Sequence, residues 1–238
     1  MNLRTRVLEP ELMDDPALDA RRHAAALRGL ARINWVSASA RLLFSPLERL
    51  ARERGLKRVR VLDVATGAAD VPIRLWRLAR RAGLPLALSA CDISPVALEH
   101  ARRRAAAAGV EAKFFEHDIT RAESARSLAP RYDVVMCSLF LHHLPDDVAS
   151  RALGAMAGAA EHAVLVNDLR RCRAGLLAAQ IGTRLLSRSP VVHVDGPRSV
   201  RAAFTESELA ARARAAGLAG ASVRRCWPWR LLLEWRRT

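Results

Sequence analysis

The sequence predicts an α/β fold built on a mostly parallel sheet, and three observations carry that expectation. From Arg58 onward, short apolar runs of strand length alternate with helical patterns of about 10–15 residues, which is the signature of βαβ units. The first of these runs closes on an acid and turns through small residues, Val61-Leu62-Asp63-Val64-Ala65-Thr66-Gly67-Ala68-Ala69-Asp70, before a helical pattern opens. The chain ends in two further runs, Ala221–Cys226 and Arg230–Arg236, joined by Trp227-Pro228-Trp229 as a tight antiparallel hairpin.

The elements follow in order. Residues 1–57 read as helical, a cap that belongs to the same domain as residues 58–238. Within it, Asp19–Leu30 sets Ala24, Leu27 and Leu30 near one face, and Ala31–Ser45 continues with Ile33, Val36, Ala40 and Leu43. Ser45-Pro46 reads as a cap starting another helix through Glu53, stopped at Gly55. Arg58–Val64 is the first strand and Asp70–Arg81 a helix ending at Gly83. Leu86–Ile93 is the second strand, and Ser94-Pro95 starts a helix that stops at Gly109. Ala112–Phe115, ending near Asp118, is the third strand and Tyr132–Ser138 the fourth. Asp146–Ala160 is a helix, Ala163–Asn167 the fifth strand, and Cys172–Leu186 another helix. Val191–Phe204, with Gly196 and Pro197, reads as an irregular loop. Thr205-x-x-Glu208 is a capping box opening a helix that ends at Gly217. The hairpin brings the strands to seven, and right-handed crossovers join the parallel ones.

Composition narrows the class. The 238 residues carry a formal charge of +15, which raises nucleic acid as a partner. All the basic residues except Lys57 and Lys113 are arginine, and they are scattered, a bias that a GC-rich coding sequence also produces. A nucleic-acid partner is disfavoured. No apolar run approaches the roughly 18 residues of a membrane span, and the first residues, MNLRTRVLEPELMDD, have no apolar core of a signal peptide. The expectation is a soluble, cytoplasmic protein with no membrane span, and a homodimer stays open. Cys91, Cys137, Cys172 and Cys226 lie far apart without ligand spacing, so free thiols are expected and no metal is assigned.

Acids recur at strand ends: Asp63, Asp92 in ACDIS and Asp118 in FEHDIT. Asp92 stands 25 residues past Gly67, where a carboxylate can accept two hydrogen bonds from a ribose diol. An acid at the third tip can accept from an exocyclic amine. The G-x-G-x-x-G of a dinucleotide site is missing, Asp70 at the helix start repels phosphate, and no Gly-Lys phosphate loop is present. An adenosine without phosphates fits better, and S-adenosylmethionine is the common one.

With those residues in view, the chain over roughly 58–238 resembles the class I S-adenosylmethionine-dependent methyltransferases, closest to small-molecule and quinone-biosynthesis types that carry D-x-A-T-G-x-G-D. The resemblance implies a Rossmann-like seven-stranded sheet whose last strand is antiparallel. It also implies Asp63, Ala65, Thr66 and Gly67 around the methionine part, Asp92 and Ile93 at the ribose, Asp118 and Ile119 at the adenine, and Ser138 and Leu139 at the fourth strand's end. Ala69 departs from the pattern, standing where a third glycine is usual.

A sulfonium methyl is already activated, so alignment of a nucleophile dominates the chemistry, and a base helps a phenol ionise. Candidate bases are His143, in Leu141-His142-His143-Leu144 after the fourth strand, and His193, with Asp195 two residues on. Asn34, Trp35 and Arg170 are candidate acceptor-binding residues, and Asp168 reads as a cap. The expected reaction is O-methylation of a phenolic or polyketide-like secondary metabolite by in-line displacement with a His base. Alternatives are a quinone-pathway C-methyltransferase, an RNA methyltransferase, and a binding protein without turnover. The Asn/Asp-Pro-Pro-aromatic signature of amine methylation in nucleic acids is absent after the fourth strand.

Overall fold

A computed structural model describes residues 3–14, 19, 21, 22, 25, 26, 29, 33, 38–121, 128 and 131–237. Seven strands form one sheet: β1 (Val59–Val64), β2 (Leu86–Asp92), β3 (Ala112–Glu116), β4 (Tyr132–Ser138), β5 (Ala160–Leu169), β6 (Ser222–Cys226) and β7 (Arg230–Arg236). Their order across the sheet is β3-β2-β1-β4-β5-β7-β6. All pairings among β1 to β5 are parallel, while β7 runs antiparallel to both β5 and β6. The order reverses at β1, so a crevice opens beyond the C-terminal ends of β1 and β4, where open α/β sheets bind ligands.

The helices are α1 (Ser39–Glu53), α2 (Asp70–Arg81), α3 (Pro95–Ala107), α4 (Asp146–Ala159), α5 (Arg173–Leu186), α6 (Pro190–Ala202) and α7 (Glu206–Ala215). One apolar layer joins α1, α2 and α3 to one sheet face through Leu43, Leu47, Val61, Leu75, Met136, Leu165 and Leu232. The other joins α4 and α7 to the opposite face through Val64, Val135, Leu153, Met156, Val166 and Leu209. Thr205 and Glu208 form the expected capping box at α7. No helix among the described residues is long and apolar enough to cross a membrane.

Three expectations change. Ser45-Pro46 does not start a helix, because Pro46 lies inside α1. An interior proline costs about 3 kcal/mol, but Leu43, Leu47 and Leu50 are fully buried or nearly so, each contributing roughly 1.5–3 kcal/mol, and the packing prevails. Val191–Phe204 is not a loop: Pro190 sits at the first turn of α6, which runs through Pro197. Its face of Val191, Val192 and Val200 is buried. Gly196 lets α5 approach, since a Cβ there would lie 2.5 Å from the Thr183 methyl.

Third, the first residues are not helical. Apart from a 3-10 turn at Leu12–Asp14, residues 3–14 form an irregular strap. Arg6 donates to the carbonyls of Ala202 (2.6 Å), His142 (3.2 Å) and Leu144 (3.0 Å), and its guanidinium stacks 3.6 Å above the Phe204 ring. The Asp195 carboxylate accepts the Leu12 and Met13 amides at 2.9 and 3.0 Å. These bonds bind the strap to α6 and to the mouth of the crevice. Residues 21, 22, 25, 26, 29 and 33 are helical, and Ala26 is buried against Val191 and Val192 of α6.

Candidate functional site

The crevice is walled by the strand tips that the sequence singled out. Asp63, at the end of β1, is 2% exposed. Burial, aided by the nearby Asp92 charge and opposed by the Thr66 hydroxyl, pushes its carboxyl up to about 7. Neither Asp63 Oδ1 nor Thr66 Oγ1 has a hydrogen-bond partner of normal geometry. The turn after β1 takes left-handed backbone at Ala65 (φ 53°), Gly67 (φ 54°) and Ala69 (φ 57°). A Cβ on Gly67 would meet nothing within 4 Å, so the turn faces open space. Ala69 thus holds the conformation that glycine adopts without strain.

Asp92 fastens this turn. Its Oδ2 accepts the Gly67 amide at 2.8 Å and its Oδ1 the Ser94 amide at 2.9 Å, and the Thr66 amide reaches the Cys91 carbonyl at 3.0 Å. Each carboxylate oxygen keeps a second lone pair for a ligand hydroxyl. Ile93 is 65% exposed beside it. At the β3 tip, Asp118 Oδ1 accepts both the amide (2.9 Å) and the hydroxyl (2.5 Å) of Thr120, which holds its carboxyl below the usual range. Ile119 is buried. Asp70, expected to repel phosphate, is paired with Arg104 of α3.

At the β4 tip, Ser138 Oγ accepts from Asn167 Nδ2 at 2.8 Å, and the Leu139 amide donates to the Asn167 carbonyl at 2.8 Å. Leu139 has φ 58°, which turns the chain into a 3-10 turn at Leu141–His143. There the two histidines diverge in environment. His142 is buried, and its Nδ1 lies 2.6 Å from Asp168 Oδ1 while its amide donates to Oδ2 at 3.1 Å. Burial works against a charge on His142, but Asp168 in contact and Glu11 beyond raise its pKa above the ordinary value. Burial alone would raise Asp168; the His142 charge and hydrogen bond, with the Leu169 amide, hold it below the usual range.

The His143 ring stacks 4.2 Å from the His142 ring, and its side chain is a third exposed at the mouth. Burial, and then the neighbouring His142 charge, pull its pKa below the ordinary value.

Glu11 of the strap completes the group. Its Oε1 lies 4.0 Å from His142 Nε2 and 3.8 Å from His143 Nδ1, and accepts from the Ser199 hydroxyl. The ligand atoms of Glu11, His142 and His143 lie within 4.8 Å of one another. The Glu11 separations exceed the edge of about 3.3 Å of a tetrahedral site with bonds of ~2.0 Å, and His142 and Glu11 already have protein partners.

His193 lies elsewhere. Its Nε2 is 2.7 Å from the Ser187 carbonyl, and it lines an open groove between α5 and α6 with Leu177, Gln180, Ile181 and Arg184. It forms no pair with Asp195, because residues two apart on a helix do not face each other. Arg170 donates to Cys172 Sγ at 3.4 Å, and its buried Nε has no partner. Asn34 and Trp35 lie outside the described residues.

Five residues here were not singled out as functional: Glu11, His142, Asp168, Asn167 and Arg230. Arg230 is 4% exposed, and its Nε and Nη1 have no partner.

The residues present suit S-adenosylmethionine. Asp63, with a buried unpartnered oxygen, and Asp92, bonded to the Gly67 amide, flank a turn with room for a ligand, and that donor set favours a cationic nucleoside over a phosphorylated one. Comparison with known proteins agrees. A family profile described as a methyltransferase domain matches residues 61–162. The search of curated proteins gives no match.

Among solved structures, magnesium protoporphyrin IX methyltransferase from Synechocystis PCC 6803 with bound S-adenosylhomocysteine is 19% identical. Its TM-score is 0.56 over 94% of this chain and 90% of that one. The plantazolicin methyltransferase BpumL, also with S-adenosylhomocysteine, is 12% identical, with a TM-score of 0.61 over 92% and 98%. An O-methyltransferase family protein from Burkholderia thailandensis is 22% identical, with a TM-score of 0.57 over 92% and 63%. At these identities the likeness is one of fold.

Proposed function

We propose that this chain, whose residues 61–162 match a methyltransferase-domain profile, is a class I S-adenosylmethionine-dependent methyltransferase that methylates a hydroxyl oxygen of a small hydrophobic acceptor, phenolic or polyketide-like, as in secondary metabolism. The observation that carries this reading is the Asp168–His142–His143 group at the tips of β4 and β5.

When bound, S-adenosylmethionine supplies a sulfonium methyl that needs no further activation. Asp63 and the Ala65-Thr66-Gly67 turn would hold its amino-acid end, Asp92 and Ile93 its ribose, and Asp118 and Ile119 its adenine, with Ser138 and Leu139 closing the side toward the acceptor. The ligand's ammonium would favour the ionised form of Asp63.

His143 is the base. It is neutral at physiological pH and reaches solvent at the mouth, whereas His142 is buried against Asp168, which favours its charged form. His143 accepts the acceptor's hydroxyl proton, and Glu11, 3.8 Å from its Nδ1, offsets the charge that it gains beside His142. Asp168 holds His142 in place and thereby fixes the stacked His143 ring. His193 is the rival base, and Arg170, Asn34 and Trp35 are the rival acceptor contacts.

A single-turnover assay with labelled S-adenosylmethionine and a panel of phenols tests this reading. Transfer to oxygen by the wild type, lost in His143→Ala and kept in His193→Ala, supports it. Transfer that survives His143→Ala at full rate contradicts the assignment of the base.

A further inference from the structure

We propose that Arg230, with Asn167 and Ser138, is a recognition site for a carboxylate carried by the acceptor, remote from the hydroxyl that is methylated. The inference rests on the methyl-transfer reading of the crevice and names the substrate class that the crevice takes.

The register places these residues in one polar row. Ser138 of β4 pairs with Asn167 of β5, and Asn167 stands opposite Leu232 of β7. Arg230 is two residues from Leu232, so it shares its face and is a diagonal neighbour of Asn167, within reach of a long side chain. Below the row that face is apolar, with Met136, Leu165 and Leu232 in the core. Farther down, Glu234 and Arg236 of β7 pair with Arg49 and Glu53 of α1. The C-terminal half of α1 is thereby fixed at the lower end of β7. The row lies at the strand tips.

The row is unsatisfied. Arg230 is 4% exposed and its Nε and Nη1 find no partner; beside it the Ser138 hydroxyl, which accepts from Asn167 Nδ2 at 2.8 Å, keeps its own proton to donate. Among the described residues no carboxylate comes within ion-pair distance of Arg230. Burial lowers its pKa to about 10, with only the field of Asp168 in opposition.

A buried guanidinium without a partner is among the more destabilising arrangements a core can hold, and a planar fork of donors matches a carboxylate bidentately. Two to three strand spacings, about 10–14 Å, separate β4 and β1 from β7. An anion on Arg230 is therefore about that far from a methyl group held over β1 and β4, which points to a carboxylate substituent and not to the reacting phenolate. Methylation itself changes nothing at Arg230: the oxygen–carbon bond forms, the carbon–sulfur bond breaks, and the hydroxyl proton leaves to the base.

The test uses the full chain saturated with S-adenosylhomocysteine and three probes: 4-methoxycinnamate, its neutral amide and 4-nitrophenol. Calorimetry is expected to show the carboxylate bound at least about tenfold more tightly than the amide. In Arg230→Met that preference disappears while the melting temperature rises, because an unpaired buried charge is gone; Arg230→Lys keeps part of the preference. Equal binding of carboxylate and amide by the wild type overturns the proposal without any variant. So does a dependence on Arg230 confined to 4-nitrophenol, or a fall in the melting temperature of Arg230→Met with the preference intact. Failure of S-adenosylhomocysteine to bind in the same titration overturns the methyl-transfer reading instead.

Discussion

Replacing Asp63 by asparagine isolates the electrostatic strain at the end of β1. The native carboxyl titrates at about 7, against about 3.9 in an unfolded chain, so the folded state binds the proton more tightly. Stability that Asp63 contributes is therefore fully present below about pH 4 and is lost as pH rises toward 7. At about 1.4 kcal/mol per pK unit the whole span is worth about 4 kcal/mol, and the part between pH 5 and 8 about 3 kcal/mol. For a chain of this length that is roughly 6–12 °C in melting temperature. The assay is thermal unfolding of ligand-free wild type and Asp63→Asn at pH 5, 6, 7 and 8. The wild type should lose that increment relative to the variant as pH rises, since asparagine carries no proton to lose. Adding S-adenosylmethionine should restore more stability at pH 8 than at pH 5, because the ammonium favours the ionised acid. Parallel curves for the two proteins would refute the reasoning, whatever their absolute values.

Other residues give sharp outcomes. Ala69→Gly should raise the melting temperature by about 2–4 °C, the equivalent of about 1 kcal/mol, by removing an alanine from left-handed backbone; a fall would mean that the Ala69 methyl packs usefully. His143→Ala should lower kcat by about 10²–10⁴-fold with S-adenosylhomocysteine affinity unchanged, and an unchanged kcat would remove His143 as base. Asp195→Ala should release the Leu12 and Met13 amides and cost about 1.5–3 kcal/mol. Urea unfolding that shows no loss would detach the strap from the fold's stability.

The strands and their acidic tips were legible because each signal was local: an apolar run, then Asp63, Asp92 or Asp118. The strand–helix alternation marked β1 to β5 as parallel and the Trp227–Trp229 turn marked the hairpin, but the order β3-β2-β1-β4-β5 had no signal of its own in the sequence. What failed was punctuation. Pro46, Gly196 and Pro197 read as breaks, yet burial of Leu43, Leu47, Val191 and Val192 holds both helices through them. The candidate site was half legible. Adjacent histidines look alike in sequence, and only the fold buries His142 on Asp168 and leaves His143 at the mouth. Glu11 lies 131 residues before His142 in the chain, so no spacing could join them. Arg230 was lost among scattered arginines, one more basic residue until β7 placed it on an apolar face.

The measurement that bears most directly on the central claim is calorimetric titration of S-adenosylhomocysteine into the wild type and Asp92→Ala. Saturable binding at one site per chain, weakened by about 1–3 kcal/mol in the variant, is the predicted result. The absence of binding to the wild type would contradict the claim, and equal affinity for both proteins would contradict the ribose contact on which the site is built.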